Sequence, residues 1–111
     1  MKDDRLYLTH IKEAIEKIEL YTVGGYDQFE NDTKTQDAVI RNFEIIGEAT
    51  KQISDKTKQL RNDIPWRDIA GLRDVLIHNY MGVDTQEVWN IISHHLPALK
   101  MAVIELLPSN C

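Results

Sequence analysis

The chain has 111 residues, a formal net charge of −5, 42% hydrophobic residues and 28% charged ones. That length suits one domain over residues 1–111, and the composition excludes a disordered chain. No apolar run approaches the roughly 20 residues of a membrane span, and the single cysteine, Cys111, excludes an internal disulfide or a cysteine-rich metal site. The N-terminal run MKDDRLYLTH lacks the apolar centre of a signal peptide, so a cytoplasmic location is expected. Net acidity argues against coating nucleic acid with the whole surface. The charge is uneven, however: residues 1–50 carry 6 basic and 11 acidic side chains, whereas residues 51–73 carry 6 basic and 3 acidic. The second stretch reads either as a solvated face or as a place to hold phosphate.

Leu8, Ile11, Ile15 and Ile18 step by three and four, which predicts an amphipathic helix over roughly residues 3–21. Gly24-Gly25-Tyr26-Asp27 breaks it, and polar residues continue to about Lys34. A second helix is expected from about 35 to 53, with Val39, Phe43, Ile46 and Ile53 on its buried face. Gly47 inside it costs about 1 kcal/mol relative to alanine, which points to close approach of another helix. Residues 54–63 suit a short helix or a turn. Pro65 opens a third helix expected to run to Tyr80, with Trp66, Ile69, Leu72, Leu76 and Ile77 inward and Met81-Gly82 as its end. Asp84 and Glu87 read as a capping box for a last helix reaching residue 107, bent at Pro97. Its stripe is Val88, Ile92, Leu96, Leu99, Val103 and Leu106. Trp89 and Ile91 lie off that stripe and suit an interface between two copies. No segment reads as strand. The expected fold is all-α, an antiparallel bundle of four to five helices, and homodimeric.

Among residues that carry chemistry, there is no phosphate-binding glycine loop, no His-Glu-x-x-His pair and no nucleophile elbow. No metal or other cofactor is expected. The adjacent His94 and His95 point about 100° apart on a helix, so they do not chelate one ion, and His10 has no evident partner. The segment Arg73-Asp74-Val75-Leu76-Ile77-His78-Asn79-Tyr80 gathers a cation, a carboxylate, an imidazole and a phenol. On a continuous helix Asp74 and His78 are neighbours, as are Arg73 and Tyr80, while Arg73 and His78 diverge by about 140°.

The chemistry suits phosphodiester cleavage. Histidine moves protons near neutral pH, arginine clamps phosphate, and Asp74 is placed to orient the imidazole. Without metal ligands, the natural reaction is attack by a ribose 2′-hydroxyl on its own phosphate, which confines the activity to RNA. Spacing alone favours a plainer reading, with His78 a satisfied helix-end histidine, Asp74–His78 a surface pair and Arg73 a structural ion-pair partner.

Arg73-x4-His78-x-Tyr80 resembles the Arg-x4-His-x-Tyr signature of HepT-like toxins, a branch of the HEPN superfamily of helical ribonucleases. The resemblance extends through Gln36–Arg41, Ile46–Ala49, Pro65–Arg73, His78–Asp84 and Val88-Trp89 in matching order and spacing. It implies a helical HEPN domain that homodimerises, bringing two Arg/His motifs to one cleft. It also implies metal-independent cleavage of RNA, with Arg73 and His78 catalytic. The partner it implies is a minimal nucleotidyltransferase antitoxin, which neutralises the toxin by adenylylating the motif tyrosine, here Tyr80. The position after the arginine is often asparagine in this family and is Asp74 here; its carboxylate either weakens phosphate binding or strengthens His78 as a base. The alternative reading is a noncatalytic helical binding partner of a nucleotidyltransferase.

Overall fold

In the computed structural model, residues 4–78 and 82–107 are described. Helix α1 (Asp4–Tyr21) carries the predicted stripe, and Leu8, Ile11, Ile15 and Ile18 are all buried. Each such side chain removed from water contributes about 1.5–3 kcal/mol before the entropy of ordering it is subtracted. The break at Gly24-Gly25 is a true turn: Gly25 has φ 90°, a conformation that a side chain would strain.

The polar stretch after the turn is not all loop. A short helix, α2 (Tyr26–Glu30), drops Phe29 into the core, where its ring lies 5.5 Å from that of Trp89. Helix α3 (Thr33–Gln52) begins at Asp32, whose carboxylate accepts the backbone N–H groups of Lys34 and Thr35. Val39, Phe43, Ile46 and Ile53 are buried as predicted. The buried Asn42 and Thr50 donate to the carbonyls of Ala38 and Ile46.

Helix α4 (Asp55–Gln59) is capped by Ser54 and tied to the start of α1. Asp4 accepts the Ser54 hydroxyl at 2.6 Å, the Ser54 N–H at 3.1 Å and the Thr57 hydroxyl at 2.5 Å. These bonds hold the start of α1 beside the end of α3, so the two long helices run antiparallel.

The expected third helix is broken. It consists of α5 (Trp66–Ala70) and α6 (Leu72–Leu76), separated at Gly71, whose N–H turns back to the carbonyls of Arg67 and Asp68. Beyond Leu76 the chain is extended. A two-residue antiparallel ladder pairs β1 (Ile77–His78) with β2 (Gly82–Val83), Ile77 opposite Val83 and His78 opposite Gly82. The helix stops because its last turn finds partners elsewhere: the Leu76 carbonyl accepts from Asp84 N–H at 3.2 Å.

The last helix is broken as well, into α7 (Thr85–His94) and α8 (Leu96–Leu106) around His95. Pro97 sits in the first turn of α8, where its missing N–H leaves no hydrogen bond unmade. The break therefore precedes the proline by two residues. Asp84 caps α7 as expected, accepting Glu87 N–H at 3.0 Å. Trp89 and Ile91 do not form an outward surface. Ile91 is buried, and the half-buried Trp89 ring packs edge-on to Tyr26 at 5.6 Å as well as against Phe29. The unpredicted helix α2 is what covers Trp89, while Ile91 faces α5–α6 and α8.

Lys100 of α8 pairs with Glu19 at the far end of α1, and Arg61 links the loop after α4 to Glu105 near the end of α8. Apart from the short β1–β2 ladder, which the sequence pattern did not predict, the architecture is an all-α bundle in which α8 packs on α1 and α5–α6 pack on α3. Among the described residues no helix is long and apolar enough to cross a membrane.

Candidate functional site

The motif segment occupies the junction between α6 and the hairpin. Two anchors fix α6: Leu72 and Leu76 are both buried in the core. Gly71 lends its carbonyl to Asp74 N–H at 3.1 Å, which starts the helix. On the far side, the N–H of Asp84 binds Leu76 while its carboxylate caps α7. The backbone from Arg73 to His78 is thus held at both ends by groups outside the motif.

Arg73 lies in α6 and His78 in β1, opposite a glycine. The side chains of Arg73 and His78 lie outside the described residues, as does Tyr80 altogether. The helix ends before His78, so the phase relations expected for one continuous helix do not apply: neither the Asp74–His78 neighbourhood nor the 140° divergence of Arg73 from His78 can be carried over. The Arg73–Tyr80 relation lies outside the described residues.

Asp74 is exposed and faces a recess of about 260 Å³ between α3 and α5–α6. Glu44, Glu48 and Lys51 line the same recess. Lys51 pairs with Glu48 at 2.9 Å and Arg41 with Glu44 at 3.7 Å, whereas Asp74 makes no ion pair among the described residues. Periodicity could not have revealed this grouping, because it depends on how closely two helices approach.

Gly47 sets that approach. A Cβ on it would meet the carbonyl oxygens of Ala70 and Ile69 at 3.2 and 3.3 Å, so α5 lies almost against the α3 backbone. A glycine in mid-helix marks a close helix contact here, as its position in the sequence predicts.

Part of the basic stretch is already engaged. Lys51 is paired with Glu48, and Arg61 holds Asp63 at 2.9 Å and Glu105 at 2.7 Å. Hydrogen bonding to Asp63, and its charge, push the Arg61 guanidinium above its ordinary range; the same bond holds Asp63 below the usual carboxylate range. Lys56, Lys58 and Arg67 make no ion pair among the described residues.

The other histidines are surface groups. His10 stands edge-on to Tyr7 at 6.2 Å, the His94 ring meets the Asn90 carbonyl at 3.1 Å, and His95 is exposed at the α7–α8 break. Among the described residues no group of three His, Cys, Asp or Glu side chains is placed to hold a metal.

Residues 11–106 match the family model described as Ribonuclease HepT-like. A protein of Thermococcus cleftensis named as a probable ribonuclease HepT is 50% identical over 95 residues, which cover 85% of this chain and 86% of that protein. A protein of Caldanaerobacter subterraneus subsp. tengcongensis, named as a candidate RNase, is 38% identical over 108 residues and 96% of each chain. A Methanocaldococcus jannaschii protein, whose name joins a gamma-glutamylcyclotransferase to a candidate RNase, is 43% identical over 110 residues. That match covers 96% of this chain but only 48% of the archaeal protein, so the chain spans about half its length. No solved structure matches the chain.

Proposed function

The chain belongs to the HepT-like ribonuclease family, and from that premise we propose that it is a metal-independent endoribonuclease toxin. Arg73-x4-His78-x-Tyr80 carries this reading, lying inside the family match, with Arg73 in α6 and His78 in β1. His78 removes the proton from a ribose 2′-hydroxyl, and the 2′-oxygen attacks the adjoining phosphorus. The bond to the 5′-oxygen breaks, and that oxygen takes a proton from the His78 imidazolium, giving a cyclic phosphate, a free 5′-hydroxyl and neutral His78. Arg73 holds the phosphate and the charge that builds on it. Asp74 acts in support from α6, its carboxylate favouring the cationic form of His78 through space and not through helical adjacency.

The site is completed by a second copy of the chain, so that RNA contacts Arg73 and His78 of both subunits of a homodimer in the cytoplasm. A minimal nucleotidyltransferase antitoxin adenylylates Tyr80. The added phosphate and bulk then stand where RNA phosphate would bind.

The test is cleavage of total cellular RNA by purified protein in EDTA, beside His78→Ala prepared identically. Wild type cuts and the variant loses about 10²–10⁴-fold of the rate with its helical circular dichroism intact. Intact mass must show an unmodified Tyr80. Equal cleavage by both removes His78 from the mechanism. No cleavage by either overturns the catalytic reading in favour of a noncatalytic binding partner of the nucleotidyltransferase.

A further inference from the structure

A groove of about 480 Å³ runs between α5–α6 and the α7–α8 break, beside the helix that carries Arg73. Its floor is aliphatic. It is lined by Ile69, Leu72 and Ile91, each 9% exposed, and by Leu99, 4% exposed. Its charged lining is mostly anionic, Asp63, Asp68 and Glu87 beside the single imidazole of His95, with no lysine or arginine among the described residues. Arg61 offsets only part of this charge, because it is shared between Asp63 and Glu105.

We infer that this groove docks a protein segment whose aliphatic anchor is flanked by lysine or arginine. The floor asks for branched apolar side chains, and the rim asks for cations. The same carboxylates repel nucleic acid phosphate. They also disfavour a second copy of the chain, whose net charge is −5. Leu72 immediately precedes Arg73, and Glu87 belongs to the first turn of the helix after the hairpin. A segment seated here is therefore delivered next to the helix that carries Arg73. The inference stands apart from catalysis, since binding is measured with no RNA present.

The experiment is fluorescence anisotropy with a labelled amphipathic helical peptide bearing leucines on one face and lysines beside them. It is compared with the same peptide carrying glutamate for each lysine. The full-length protein binds the basic peptide at least ~10-fold more tightly, and added salt weakens that binding. Asp68→Lys with Glu87→Lys, at an exposed and a half-buried position lining the groove, reverses the preference. Ala98→Phe, at an exposed position lining the groove, abolishes binding of either peptide. Equal binding of the two peptides overturns the proposal, as does no binding of the basic one. Light scattering that detects self-association relieved by Ala98→Phe also overturns it, assigning the groove to a second copy.

Discussion

Replacing Gly47 tests whether the contact between α3 and α5 limits the position of the motif. Alanine adds one methyl group, which would stand 3.2 Å from the Ala70 carbonyl oxygen and 3.3 Å from that of Ile69. Both distances fall about 0.1–0.2 Å short of ordinary van der Waals contact, and repulsion rises steeply over that interval. The obstacles are backbone atoms, so no side chain can swing aside; the whole of α5 must move. Against this stands the gain of about 1 kcal/mol for alanine over glycine inside a helix. Overpacking a close helix contact costs about 1–3 kcal/mol, so Gly47→Ala is expected to lower stability by about 1 kcal/mol net. For a chain of this size that lowers Tm by about 3–6 °C. Urea or thermal unfolding measures it, with Glu48→Ala on the exposed face of the same helix as control, expected within about 0.5 kcal/mol of wild type. Because α6 succeeds α5 across Gly71 alone, displacement also reaches Arg73, and RNA cleavage is expected to fall more than stability does. A variant stabilised by the full propensity gain, with unchanged cleavage, would refute the close-approach argument.

Local geometry sets three further outcomes. Hydrogen bonds from the Ser54 and then the Thr57 hydroxyl hold the Asp4 carboxyl below its usual range. Its stabilisation is therefore fully present above the unfolded value of about 3.9 and is lost as pH falls through the lower folded value. Asp4→Asn should cost about 1–2 kcal/mol in urea unfolding at neutral pH, with the difference from wild type shrinking below about pH 4; a pH-independent difference would contradict the linkage. Trp89→Ala removes the ring that α2 packs on through Tyr26 and Phe29, so about 2 kcal/mol of stability should be lost, with amide exchange accelerated first in residues 26–30. Asp74→Asn should reduce kcat and move the acidic limb of the cleavage profile to lower pH; a lower KM with an unshifted limb would instead make Asp74 a repeller of phosphate.

The helices that bury a continuous stripe are legible in the sequence. Ile11, Ile15 and Ile18, and Val39, Phe43 and Ile46, repeat at helical spacing and are buried as that spacing requires. The Asp84 cap and the close approach at Gly47 are legible for the same reason, since each depends on one residue type at one helical position. Interruptions are what the pattern conceals. Trp66, Ile69, Leu72 and Leu76 keep helical phase across Gly71, so the apolar pattern runs through a break made by backbone hydrogen bonds. Helix α2 is concealed because a five-residue helix with one buried side chain, Phe29, has too little period to register. Trp89 then reads as outward, because nothing in its own helix's periodicity discloses the cover that α2 provides. In the candidate site the residue types are legible, but the company kept by Asp74 is not: Glu44 and Glu48 lie on another helix.

The break before His78 changes what positions the motif. On one helix, the five-residue spacing of Arg73 and His78 would fix their relation through helical phase, and the intervening residues would be interchangeable. With Arg73 in α6 and His78 in an extended strand, the relation depends on where the helix stops. That stop is set by the N–H of Asp84 on the Leu76 carbonyl, and Asp84 is itself fixed by capping α7. The cap of the next helix thus governs the geometry of a motif that ends before it begins. Leu76, buried completely between them, couples the two: moving it shifts the helix end and the hairpin together. The cross-strand neighbour of His78 is Gly82, which has no side chain, so the ladder holds the histidine backbone in register without placing a second side chain across from it. Arg73 at a helix end and His78 in the strand after it are held by residues that carry none of the chemistry, by the core through Leu76 and by α7 through Asp84.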